Sequence, residues 1–136
     1  MNIKTQTLAY LTDKTGKIYE TLVIQRKDPQ ADVDAMVAEF HVRRDLVVDG
    51  LNAIPGIRCR RPQGAFYVFP NVSGTGMTGG EFADKMLYEA GVSLLAGSAF
   101  GRVGVDHARI SYANSQSNLR RAVERIADVV ARVGVA

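Results

Sequence analysis

From His107 to Ala113 the chain reads His-Ala-Arg-Ile-Ser-Tyr-Ala, so that Ala108, Ile110 and Tyr112 fall on one side and Arg109, Ser111 and Ala113 on the other. A period of two belongs to a strand, and this one is predicted to have an apolar face and a face that presents a guanidinium. Upstream, Val92 to Leu95 form a second short apolar run that ends in Ala96-Gly97-Ser98-Ala99-Phe100-Gly101. The glycines let this loop turn sharply or approach a ligand closely. A guanidinium offers a planar fork of donors that matches a carboxylate in two parallel hydrogen bonds, so a glycine loop beside Arg109 suits recognition of an organic acid. Solvation of an outward-facing strand arginine is the plainer explanation of the same pattern.

At the start of the chain, Leu8 to Thr12 and Lys17 to Ile24 are β-prone runs separated by Asp13-Lys14-Thr15-Gly16, which predicts a β-hairpin. Lys27-Asp28-Pro29-Gln30 breaks that pattern and marks a boundary, with a leader over 1–30 and a second region over 31–136. From Asp32, which can cap, the period becomes helical: Val33, Met36, Val37, Phe40, Val47, Leu51 and Ile54 make one stripe, ended by Pro55-Gly56. His41, Arg43, Arg44 and Asp45 lie mostly off it, as a solvated face.

Ile57 to Arg61 and Ala65 to Pro70 read as two strands around Gly64, the second apolar on both faces and therefore expected to be central, with its aromatics in the core. Thr78-Gly79-Gly80-Glu81 is a capping-box pattern, followed by the helical face Phe82, Ala83, Met86, Leu87 and Ala90, with Gly91 at the left-handed end. Asn114 to Asn118 supply capping side chains for a last helix whose stripe is Leu119, Ala122, Val123, Ile126, Ala127, Val130 and Val133. Arg120, Arg121, Arg125 and Arg132 are placed on its solvent side, with Glu124 able to pair with them. The expected fold is α/β (α+β-like), a small mixed sheet flanked by helices, with the hairpin pairing at an edge or across a dimer.

The 136 residues, 46% hydrophobic, suffice for one core. A formal charge of +3 from 17 basic and 14 acidic residues, interspersed, carries no nucleic-acid or membrane footprint. Cys59 is the only cysteine, which excludes an internal disulfide and points to a reducing, cytoplasmic compartment. The first residues lack the continuous apolar core and small-residue cleavage pattern of a signal peptide, and no apolar run in the sequence is long enough for a helix to span a bilayer. His41 and His107 are isolated, so no metal is assigned. His107 shares a strand face with Arg109, which allows a place beside a bound anion; a surface histidine is the simpler expectation.

Three runs in order, GAFYVFP (Gly64 to Pro70), GVSLLAGSAFG (Gly91 to Gly101) and ARISYANSQSNLRRAVERI (Ala108 to Ile126), resemble the C-terminal small domain of class I, aspartate aminotransferase-like, pyridoxal-phosphate enzymes. The resemblance extends from about Asp32 to Val133 and does not include residues 1 to 27. It implies that Arg109 binds the α-carboxylate of an amino acid or 2-oxo acid substrate. Where the family's loop often opens with proline this chain has Ala96, which affects the stiffness of the loop.

Transamination needs a Schiff-base lysine, an acidic partner for the pyridine nitrogen and phosphate donors. In the family these belong to a large domain that precedes the part resembled here. Lys4, Lys14, Lys17, Lys27 and Lys85 do not match the cofactor-lysine context. The resemblance therefore implies no catalytic residue and no cofactor bound by this chain alone. Three functions stay open: an aminotransferase small domain working with a large domain, a stand-alone binding or oligomerisation module, and a folded relic. In the second, the exposed face is covered by the hairpin or by another copy.

Overall fold

The computed structural model describes residues 7–12, 18–24 and 30–134. The chain divides into two compact units, Met1–Met36 and Val37–Ala136. In the first, β1 (Thr7–Thr12) and β2 (Ile18–Ile24) pair antiparallel, from Thr7 opposite Ile24 to Leu11 opposite Glu20, with a register shift before Thr12. The expected hairpin strands are present. Its turn, Asp13 to Gly16, lies outside the described residues. The helix α1 (Gln30–Asn52) starts two residues before the expected cap. Asp32 sits in its first turn, where a carboxylate favours the positive end of the helix dipole, and does not cap it.

In the second unit, only the C-terminal part of the predicted α1 stripe is buried, Val47 and Leu51 in the helix and Ile54 beyond it; Val48 and Ile57, which the stripe did not include, are buried beside them. Met36 and Val37 are exposed. Periodicity marks the apolar side of a helix without saying how far the helix outruns the core. Asn52 then fixes the descent from α1: its amide donates to the Cys59 carbonyl at 2.9 Å and accepts from the Cys59 N–H at 2.8 Å. This pairing spends the backbone of Cys59. The strand expected over Ile57 to Arg61 is accordingly reduced to one bridge, Arg58 with Asn71, bonded in both directions at 2.9 Å.

The sheet has three short strands, β3 (Tyr67–Val68), β4 (Leu95–Ala96) and β5 (Ala108–Ser111), in the order β3-β5-β4. Tyr67 lies opposite Ser111, Val68 opposite Ile110 and Leu95 opposite Arg109. Both pairings are antiparallel, where a mixed sheet was expected. The central strand is β5, and β3 is an edge. Val68 and Pro70 are buried, but Phe66 and Phe69 are more than 40% exposed, so β3 is not buried on both sides and its aromatics are not all core. Two apolar faces in a sequence do not distinguish a second core from an apolar surface.

Helix α2 (Gly79–Lys85) opens with the predicted capping box: the Thr78 N–H donates to a Glu81 carboxylate oxygen at 2.8 Å, and the Glu81 N–H donates to the Thr78 hydroxyl at 3.3 Å. It continues through one wider π turn, Met86–Ala90, to Gly91 at φ +63°. Met86 and Ala90 are buried while Leu87, predicted on the same face, is 47% exposed. A π turn shifts the phase of an apolar stripe, which explains the loss of Leu87 from it.

Helix α3 (Gln116–Val133) is capped by Ser115, whose hydroxyl accepts from the Asn118 N–H at 3.3 Å, and buries Leu119, Ile126, Val129 and Val130. Val133, predicted on the stripe, is exposed in the final turn. Arg125, expected on the solvent side, donates to the Ala90 carbonyl at 3.1 Å and so satisfies the end of the preceding helical segment. Gln116 donates to Glu39 at 3.1 Å, and Glu39 also accepts from Arg43 at 2.7 Å, which ties the start of α3 to α1. Phe82, Met86, Leu51 and Ile126 lie at the centre of the core. No described helix is long and apolar enough to cross a membrane.

Candidate functional site

The alternation read at His107 to Ala113 is realised in β5. Ala108, Ile110 and Tyr112 are buried in the core, Arg109 is half-buried on the opposite face, and Ser111 and Ala113 are exposed. The strand is held from both sides. The Tyr112 N–H donates to the Phe66 carbonyl at 2.9 Å, and the Tyr112 hydroxyl donates to the Ala65 carbonyl at 2.7 Å. Ala65 has φ +61°, a conformation disfavoured for a residue with a Cβ, and this hydroxyl helps to hold it there. Burial pushes the Tyr112 phenol above its ordinary pKa.

On the outer face the Arg109 guanidinium lies over two rings, 4.5 Å from the centre of Tyr67 and 4.8 Å from that of Phe100. Tyr67 arrives from the edge strand β3, and Phe100 from the glycine loop. Gly97 makes that loop possible. Its N–H donates to the His107 carbonyl at 2.7 Å, and a Cβ at Gly97 would collide with the carbonyl oxygens of Gly104 and His107. At the other end Gly101 adopts φ +113°, closing the short turn that carries Phe100 back over Arg109.

The rings flank the guanidinium but do not use its N–H groups. The Arg109 guanidinium makes no hydrogen bond or ion pair with any described residue. A guanidinium held against two rings keeps its N–H groups for a ligand, and an oxyanion lying in the guanidinium plane takes two parallel hydrogen bonds. Cation–π contacts at such a half-exposed place contribute on the order of 0.5–1 kcal/mol each, enough to bias the rotamer.

The row continues from Phe100 to Phe69, edge to face at 5.9 Å, and from Phe69 to His107, stacked at 5.0 Å with 9° between the planes. His107 therefore shares the face of Arg109, as its position two residues away requires. It is not the plain surface histidine expected: it is half-buried, and its Nδ1 is shut away without a hydrogen-bond partner. Tyr67, Phe69 and Phe100 are the residues missed by sequence reasoning. Their signal was their phase, since Tyr67 and Phe69 alternate with buried Val68 and Pro70.

His41, Arg43, Arg44 and Asp45 stay on α1 away from this site. Arg43 pairs with Glu39 at 2.7 Å and Arg44 with Asp45 at 2.8 Å. Among the described residues no cluster of histidine, cysteine and carboxylate side chains could hold a metal. Cys59 is buried, and burial pushes its thiol up to about 11, which disfavours the thiolate a nucleophile needs.

Residues 4–126 match the family described as aminotransferase class I and II. The chain belongs to that family. The match begins upstream of the boundary drawn at Lys27 to Gln30. The chain is 48% identical over 94 residues to an aspartate aminotransferase of Pyrococcus horikoshii, spanning 69% of this chain and 24% of that protein. It is 38% identical over 124 residues, 91% of its length, to the (5-formylfuran-3-yl)methyl phosphate transaminase of Methanocaldococcus jannaschii, covering 32% of that protein. Among solved structures it is similar to an aromatic aminotransferase of Pyrococcus horikoshii, with a TM-score of 0.74 and 41% identity over 78% of this chain and 28% of the other. The aspartate aminotransferase of Rhizobium meliloti gives a TM-score of 0.73 at 40% identity, with the same coverage. The chain thus spans about a quarter to a third of the length of these aminotransferases, and its α/β fold is that of a part of them.

Proposed function

We propose that this aminotransferase-derived domain holds the α-carboxylate of an amino acid or 2-oxo acid on Arg109, while the amino-group chemistry is supplied by residues outside it. The carrying observation is the Arg109 guanidinium, flanked by Tyr67 and Phe100 with its N–H edge unspent among the described residues. The rings hold the guanidinium and keep water from part of it, and the carboxylate meets the free N–H groups. Gly101, at φ +113° with open space around it, is the place where the loop can bend as Phe100 admits or releases the acid, while Gly97 anchors its start.

Pyridoxal phosphate supplies the electron sink for amino transfer when it is bound in such enzymes. The described residues do not fit its covalent site. The described lysine, Lys85, lies on α2 and is paired with Glu89 at 2.6 Å. This supports a division in which the domain grips the substrate and takes no part in holding the cofactor. A second reading, a non-catalytic module, draws on the exposure around the site: Leu95, Phe100, Val103 and Val105 are all more than 45% exposed, a surface suited to a large domain or to another copy of the chain.

Titration of 2-oxoglutarate into the chain, followed by NMR, tests the grip. Saturable shifts centred on Arg109, Tyr67 and Phe100, weakened about tenfold or more in Arg109→Gln, are expected. Equal binding by Arg109→Gln would sink the reading. A lysine-dependent absorbance band on adding pyridoxal phosphate to the purified chain would overturn the division of labour. Solution mass decides between covering by self-association and the absence of it.

A further inference from the structure

The extended segment after α1 carries Arg58, Arg60 and Arg61, and the three are used differently. Arg61 turns back to α1, 2.6 Å from Asp49 and 3.5 Å from Asp45. Arg58 and Arg60 are out of phase with it, and their guanidinium groups make no hydrogen bond or ion pair with any described residue. Both line a cavity of about 670 Å³ together with Phe69, Asn71, Ser73 and His107. No carboxylate lines it, so the two charges are not neutralised from within the described residues.

The neutral groups in its wall are set as donors. The Asn71 side-chain oxygen already accepts from the Ser73 N–H at 3.1 Å and the Ser73 hydroxyl at 2.7 Å, which leaves the amide NH2 as the free end. The His107 ring is stacked on Phe69, and its Nδ1 is buried without a partner. Placing the proton on Nε2 avoids an orphaned buried N–H, and leaves the donor on the other nitrogen of the ring. The floor is stiff: Gly56, at φ +84°, packs so closely on Gly74 that a Cβ there would fall 2.5 Å from the Gly74 carbonyl.

We propose that this cavity is an anion site for the phosphate group of a small phosphate monoester. Two guanidinium groups match a dianionic group, Asn71 and His107 supply neutral donors for its remaining oxygens, and the volume is that of a small-molecule site. A single carboxylate would leave one of the arginines without a counter-charge. The proposal goes beyond the reading of Arg109 and does not depend on it. Phe69 lines the cavity and touches Phe100, which covers Arg109, so the two sites are neighbours on one face.

The test is NMR titration of the purified chain at constant ionic strength with inorganic phosphate and, in a second arm, glycerol 3-phosphate, with glycerol as control. Saturable shifts at the Arg58 and Arg60 side chains and the Asn71 amide are expected with both phosphates and not with glycerol; tighter binding of glycerol 3-phosphate than of inorganic phosphate identifies the monoester as the fitting ligand. Arg58→Gln and Arg60→Gln should each weaken binding about tenfold, while Arg61→Gln and Arg109→Gln leave it within about twofold. Arg60 is exposed and bonded to nothing described, so Arg60→Gln is the variant that retains the fold. Arg61→Gln removes the same charge from the neighbouring position. If it weakens phosphate as much as Arg60→Gln does, binding is diffuse electrostatics and the site is refuted. A response centred on Arg109, no saturation at millimolar phosphate, or glycerol 3-phosphate binding no better than inorganic phosphate also refutes it.

Discussion

Ala108, Ile110 and Tyr112 on one face of β5 and Arg109 on the other are neighbours in sequence held by different physics. The core face packs against α2 and, through Tyr112, edge-on to Phe40 of α1, and is stabilised by apolar area removed from water, about 25 cal/mol per Å². The outer face is held by two aromatic contacts to a cation whose donors stay unspent. Removing a group from the first leaves a cavity that must be filled or endured. Removing one from the second leaves a groove that water enters freely. Stability and binding are therefore separable on one strand, and variants on the two faces should sort accordingly.

The sharpest contrast comes from the core side. Phe82→Ala, at a fully buried ring, should destabilise the chain by about 3–5 kcal/mol in urea unfolding. Gly97→Ala tests the junction between the faces: its Cβ meets backbone oxygens, and a cost of about 1–3 kcal/mol is expected, with weakened carboxylate binding as Phe100 is displaced. Unchanged stability there would mean that the loop is softer than its packing implies. Arg109→Gln should lower 2-oxoglutarate affinity about tenfold or more, equivalent to about 1.4 kcal/mol, while changing unfolding stability by less than about 1 kcal/mol. A core-sized loss of stability in this variant would erase the distinction between the two faces.

Smaller effects lie at the caps. Thr78→Ala removes the hydroxyl half of the capping box and should cost about 1 kcal/mol in thermal or urea unfolding. Its partner Glu81 is held below the ordinary carboxylate pKa, first by the Thr78 backbone N–H and then by the Thr78 hydroxyl. A lowered folded pKa means that the contribution is complete above the unfolded value and is lost as pH falls through the folded one. Glu81→Gln, which keeps the hydrogen bond without the titration, should flatten the acid side of the stability profile.

Features written in adjacent residues were legible. Thr78 and Glu81 lie three apart and build their box, Gly91 takes the left-handed end of its helix, and Ser115 caps α3. The two faces of β5 follow from a period of two. The strand over Ile57 to Arg61 did not form because the Asn52 amide, far away in phase but close in space, took the backbone of Cys59. Tyr67 and Phe69 read as core because aromatic side chains look alike in a sequence whether they fill an interior or border a ligand site.

The chain's own order of residues determined where α2 and α3 begin, where the segment after α2 turns left-handed at Gly91, and that Arg109 faces away from the core. These are local properties, decided by neighbours within a turn or two of backbone. Tertiary packing alone decided that β3 is an edge, that Tyr67 and Phe100 close on Arg109 from different elements, and that Arg58 and Arg60 share a cavity with His107. Such convergence depends on how strands align and how closely backbones approach, and glycines such as Gly97 and Gly56 set that distance without stating in sequence which partner they admit.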